Sequence, residues 1–170
     1  MKKISIFIFL LIVGLITTKA QEIDKKQYDS VGVSIENLTG RLNNLQRDYD
    51  FLSCQYEIYR AQSELKSLGD EANIKSNAIL INCYHSKYNH DLYVAYRDNY
   101  DSYVVYYDSL KETVTSLKDL VSTKILYSDF SESQVELLKH CSDVLDKALI
   151  SAEHSINYYK IILDLYKGIR

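Results

Sequence analysis

Residues 93–121 read YVAYRDNYDSYVVYYDSLKETVTSLKDLV, and their apolar side chains return after three and then four residues. The stripe starts at Tyr93 and passes Tyr96, Tyr100, Tyr103, Tyr107, Leu110, Val114 and Leu117 to Val121. Such an alternation keeps one face of an α-helix turned toward a neighbouring helix. Downstream, Tyr127 to Phe130 read as a loop, and Ser131 followed by Gln134 reads as a capping box. A last helix then repeats the pattern through Val135, Leu138, Ser142, Leu145, Leu149, Ala152, Ile156, Tyr159, Leu163 and Tyr166 up to Gly168. Folded as an antiparallel hairpin, the two segments set Val121 opposite Val135, Val114 opposite Ser142, Tyr107 opposite Leu149, Tyr100 opposite Ile156 and Tyr93 opposite Leu163. Tyr103 meets the small Ala152, the large-on-small pairing that dense packing requires.

Toward the N-terminus the same alternation runs through Tyr28, Val31, Ile35, Leu38, Leu42, Leu45, Tyr49, Leu52, Tyr56 and Tyr59. A second stripe, Phe51, Cys54, Ile58, Ala61, Leu65 and Leu68, overlaps it one residue out of phase. The second half of this helix therefore has two apolar faces and needs two neighbours. Gly69 suits a helix end in the left-handed conformation, and Asp70 can cap the next start. A further run, Ala72, Ile74, Ala78, Ile81, Tyr84 and Tyr88, loses phase at Asn89-His90-Asp91, where the helix stutters or breaks.

The expected fold is all-α: an elongated antiparallel bundle of three long helices, four if the second breaks near residues 89–91, with coiled-coil-like packing. With a hairpin at Gly69, residues 28–45 lie beside residues 93–110. Residues 51–68 and 70–88 then form a hairpin tip with no third helix over it. Uncovered apolar surface of that extent marks a contact site, which places the expected contact at Phe51, Ile58, Ile81 and Tyr84. Its occupant would be a second copy or another protein, unless the chain folds over at 89–91 and covers the tip itself.

Composition narrows the function classes. The 170 residues include no proline and five glycines, too few turn-formers for a β-sandwich or a loop-built α/β enzyme. Residues 1–20 read as an export signal: Lys2 and Lys3, an apolar run from Ile4 to Ile16, and Thr18-Lys19-Ala20 before Gln21. The run is too short for a membrane span of about 20 residues. Cleavage removes three lysines and no acid from a chain of 20 basic and 23 acidic residues. That leaves an acidic product poorly suited to nucleic acid or anionic lipid. The expected organisation is a signal peptide at 1–20 and one helical-bundle domain at 21–170, periplasmic or extracellular, with no membrane span after cleavage. The signal and the bundle resemble, in a generic way, exported helical-bundle proteins of bacteria.

Residues able to carry chemistry are sparse. Cys54 and Cys83 sit at equal height in the expected first hairpin, so they are either a disulfide or two buried thiols, while Cys141 lies too far away to join them. A di-iron bundle needs Glu three residues before His, but the residues at that offset are Asn82, Lys87, Leu137 and Ser151. No Gly-rich phosphate loop, His-Glu-x-x-His, Cys-x-x-Cys or nucleophile elbow occurs. No enzyme, metal or cofactor is expected.

Sixteen tyrosines are the strongest oddity. Tyr93, Tyr96, Tyr100, Tyr103 and Tyr107 read either as core residues with hydroxyls at the bundle edge or, with the off-stripe Tyr106, as an aromatic groove. The function expected first is a non-enzymatic exported protein acting by protein–protein contact in assembly, adhesion or scaffolding. The alternative is a binder of a small aromatic or carbohydrate ligand along that tyrosine-rich helix.

Overall fold

A computed structural model describes residues 25–85 and 88–169, with side chains from residue 30 onward. The expected signal segment, residues 1–20, lies outside them. Three helices follow in chain order: α1 (Lys25–His85), α2 (His90–Tyr127) and α3 (Glu132–Gly168). Among the described residues there is no strand, and the fold is the all-α three-helix bundle that the heptads imply.

The chain divides into two units at Leu45. In the first, α1 begins at Lys25, and every residue from Ser30 to Leu45 is exposed. The second unit holds the core. There α1 and α2 run antiparallel: the Asn82 amide donates to the Tyr96 hydroxyl at 2.6 Å, the Tyr106 hydroxyl donates to Glu64 at 3.4 Å, and Lys124 meets Asp50 at 3.0 Å. α3 lies parallel to α1, with Phe51 edge-on to Phe130 at 6.1 Å and Asn73 donating to the Ser155 hydroxyl at 3.1 Å.

Two boundaries differ from expectation, and together they rearrange the first half of the bundle. Gly69 does not end a helix. It lies in the middle of α1, where a Cβ would meet Ser155 Oγ at 3.4 Å and the Ala152 backbone at 3.5 Å. Glycine serves there as a small surface that lets two helices approach. The break comes instead at the phase change: α1 ends at His85 and α2 begins at His90. Asn89 caps the new helix, its side chain accepting from the Leu92 amide at 3.0 Å.

Residues 51–68 and 70–85 therefore do not pair with each other, and residues 30–45, expected to be covered, are exposed. The layer facing Gly69 comes from α3. One stripe of α1 runs unbroken through the glycine: Cys54, Ile58, Ala61, Leu65, Leu68, Ala72, Ser76 and Ile79 are all buried.

The α2–α3 hairpin is antiparallel as expected, with a shift of one to two turns. Tyr100 and Tyr103 both pack on Tyr159 at 5.9 Å, and Lys118 reaches Asp146 at 2.6 Å. The loop accounts for part of it. α2 continues through Tyr127, so the turn lies at Ser128 to Ser131, slightly later than the expected one. The capping box forms, with Gln134 N–H donating to Ser131 Oγ at 3.3 Å and Ser131 N–H donating to Gln134 Oε1 at 3.0 Å.

Candidate functional site

The four residues expected at a docking tip are separated by the continuous helix. Ile58 is 1% exposed in the core, and Phe51 is half-buried against Phe130. Ile81 and Tyr84 are exposed. Ile58 and Ile81 lie about 35 Å apart on one helix, at 1.5 Å per residue, so the four form no common patch.

The same geometry excludes the disulfide. Cys54 and Cys83 stand on one helix about 43 Å apart, against the roughly 7 Å between Cα atoms that a bridge tolerates. All three cysteines are free. Burial raises the Cys54 and Cys83 thiols above their ordinary range, which disfavours the reactive thiolate.

The tyrosines build an interior layer. Tyr159 and Tyr166 on α3 are fully buried, and Tyr107 on α2 is nearly so. Around them Tyr93, Tyr96, Tyr100 and Tyr103 are half-buried. Tyr100 stacks on Tyr159 and Tyr103 meets it edge-on, while Tyr96 and Tyr88 pack on Tyr166. The hydroxyls find partners at the edges: Tyr159 donates to the Tyr96 carbonyl at 2.8 Å, and Tyr166 accepts from the Asn89 amide at 3.2 Å.

Burial holds the Tyr159 hydroxyl well above the ordinary tyrosine range, with Tyr103 and Tyr96 adding to it. Burial also raises Tyr103, assisted by Glu71, and Tyr107, assisted by Glu153. Tyr106 is exposed, as its off-stripe position implied, and reaches Glu64. These rings face one another, and their faces are spent on packing. Tyr159 and Tyr166 were assigned only to the stripe of the last helix, and the tyrosine-on-tyrosine layers follow once the hairpin shifts by one to two turns.

A groove of about 380 Å³ opens beside Gly69, between Leu65 and Lys66 on α1 and Lys147 and Ala148 on α3. Among the described residues, no three His, Cys, Asp or Glu side chains converge as metal ligands. No described helix is long and apolar enough to cross a membrane.

What stands out is the other stripe of α1. In the first unit Val31, Ile35, Leu38, Leu42 and Leu45 are exposed, and in the second Tyr49, Leu52, Tyr56 and Tyr59 are too, at 38–67% of their surface. These nine residues are the first heptad run of the sequence without Tyr28, whose side chain lies outside the described residues; Val31 to Leu45 were expected beside residues 93–110. Within each unit the spacing is that of a helix face able to pack against another helix. One signal in the sequence distinguishes it from the covered stripe. Cys54, Ala61, Gly69, Ala72 and Ser76, the small residues that permit close helix approach, all lie on the inner face. The outer stripe is leucine and tyrosine beyond Val31 and Ile35.

Comparison with protein-family models, with curated proteins and with solved structures finds no match to this chain.

Proposed function

We propose that this is an exported, non-enzymatic helical-bundle protein that works by protein–protein contact through the outward heptad stripe of α1. The observation that carries this reading is the exposure of five consecutive heptad positions within the first unit, Val31, Ile35, Leu38, Leu42 and Leu45. Leaving them in water forgoes about 25 cal/mol for each Å² of apolar surface, a standing driving force for association. The surface differs from the tip expected from sequence, while the class of function is the same. The tyrosine-rich segment offers less support for ligand binding, because its rings pack on Tyr159 and Tyr166.

Two experiments test the proposal in the cells that make the protein. Terminal sequencing of the exported product should begin at Gln21; full-length protein retained in the cytoplasm would remove the export part. A photo-activated cross-linking residue at Leu45 should join the chain to a protein, whether a second copy or a different one. Substitution of Leu42 and Leu38 by lysine should abolish the adduct. Absence of any adduct in the wild-type background would overturn the contact reading.

A further inference from the structure

We propose that the tyrosine layer takes up single oxidising equivalents, and that they come to rest on Tyr88, whose hydroxyl meets His90. This goes beyond the contact reading above and does not depend on it. Seven tyrosines of the second unit form one connected set. Tyr93, Tyr88, Tyr166 and Tyr96 follow one another with ring centroids 6.0, 5.7 and 6.1 Å apart. Tyr100 and Tyr103 each lie 5.9 Å from Tyr159, and the Tyr159 hydroxyl joins the two groups through the Tyr96 carbonyl at 2.8 Å. Tyr159 and Tyr166 are closed to solvent, while the other five are half-buried. Electron exchange between phenol rings falls off steeply with separation, and every step within each group is a single ring contact. An oxidant that meets any of the five partly open edges therefore draws on the whole set.

Chemistry selects Tyr88 among the seven. A phenol that loses an electron becomes a strong acid, so the oxidised ring persists only where a base takes its proton. The Tyr159 hydroxyl donates to a carbonyl, which is no base near neutral pH. The hydroxyls of Tyr96 and Tyr166 accept from the Asn82 and Asn89 amides. Among the described contacts of the seven, only the Tyr88 hydroxyl meets an imidazole, at 3.3 Å from His90 Nδ1. That nitrogen accepts a proton in the tautomer that carries its hydrogen on Nε2. The two residues sit in the joint between α1 and α2, so their hydrogen bond fastens no helix to another. Phenylalanine would pack on Tyr93 and Tyr166 as well as Tyr88 does, and the hydroxyl is what it would lack.

The step balances as a proton-coupled oxidation. An external one-electron oxidant, of the high-valent metal class, gains one electron from a ring of the set. Neighbouring rings refill that ring in turn until the hole reaches Tyr88. There the O–H bond breaks, the proton passes to His90 Nδ1, and a neutral phenoxyl radical remains beside an imidazolium. A reductant of the ascorbate class returns the electron and His90 returns the proton, which restores both side chains.

The test uses the full chain, photo-oxidised ruthenium tris-bipyridine as oxidant, and a nitroso spin trap to mark the radical. Mass mapping should place the adduct on Tyr88 ahead of Tyr84 and Tyr127, although those two are 85% and 86% exposed. His90→Gln keeps an acceptor for the hydroxyl and removes the base, and the Tyr88 adduct should fall about tenfold or more. Tyr166→Phe keeps the packing and breaks the ring path, so adducts should appear instead at Tyr96 and Tyr100. Circular dichroism should show unchanged helix content in both variants, which separates loss of the path from loss of the fold. Adducts ranked by exposure, with Tyr84 and Tyr127 first, would overturn the proposal in the wild-type protein alone. A Tyr88 adduct undiminished in His90→Gln would overturn the role of the base, and the choice of Tyr88 with it.

Discussion

Two apolar stripes run along α1, one residue out of phase. The stripe through Cys54, Ile58, Ala61, Leu65 and Leu68 is closed to solvent, while the one through Leu45, Tyr49, Leu52, Tyr56 and Tyr59 is more than half open. Both keep the same three-four spacing, and the open stripe has the larger side chains. Periodicity therefore identifies a face that can pack, and side-chain size decides which face the chain's own helices take. Cysteine, alanine and glycine let α3 approach α1 to within van der Waals contact at Gly69, and close approach multiplies dispersion contacts along both helices. A face of leucine and tyrosine holds a neighbour further away and suits the knobs and holes of a coiled coil.

The sharpest way to break this comparison is to place the same charge on each side of it. Ile58→Asp buries an unpaired carboxylate at a position 1% exposed. That substitution should cost more than about 4 kcal/mol and abolish cooperative folding. Leu52→Asp, at a position 59% exposed, should change stability by no more than about 0.5 kcal/mol. Urea denaturation of the two variants measures the difference. Comparable losses would mean that the two stripes are not distinguished by burial.

The tyrosine layer gives the next largest effect. Tyr159→Phe keeps the ring among Tyr100 and Tyr103 and removes the hydrogen bond to the Tyr96 carbonyl, at a cost of about 1 kcal/mol near neutral pH. The direction reverses in alkali. Tyr159 has a folded-state pKa raised above the unfolded value near 10. The neutral hydroxyl's contribution is thus complete below about pH 10 and is lost as pH climbs toward the folded value. Tyr103 and Tyr107 shift the same way. Wild-type protein should lose stability steeply above pH 10 with tyrosinate absorbance rising in step, and the gap to Tyr159→Phe should narrow. A gap that stays constant with pH would show that Tyr159 is solvated.

Gly69 marks where the sequence could be read and where it could not. The α2–α3 hairpin, its capping box and most of its buried positions follow from spacing, though not Cys141, Ser155 or Ile162, because residues close in sequence leave few ways to pair. The path of α1 was harder, since glycine serves equally as a left-handed terminus and as a close contact within a helix. Only the partner helix distinguishes them, and that partner, Ala152 and Ser155, lies more than eighty residues away. Asn89 was legible as a phase change and not as a cap.

The expected tip comes apart for the same reason. Ending α1 at Gly69 exposed Ile58 on paper and covered Leu42. Gly69→Ala separates the two roles. In a helix interior with ordinary contacts of 3.4–3.5 Å, alanine should stabilise by about 0.5–1 kcal/mol. At a left-handed terminus it would destabilise by about as much. A lowered melting temperature would restore the hairpin at Gly69.

The smallest expected effect is none. In a hairpin folded at Gly69, a Cys54–Cys83 bridge closing a loop of about 28 residues would contribute roughly 3–5 kcal/mol. Adding a reductant would then lower the melting temperature by many degrees. On a continuous α1 the two sulfurs cannot meet, and reductant should leave the melting temperature unchanged. Thiol labelling of the native protein sharpens the same point. Cys83 is half-buried while Cys54 and Cys141 are buried, so Cys83 should label first, and the other two only as the bundle opens. Equal protection of Cys54 and Cys83, released together by reductant, would show them joined and would break α1 in two.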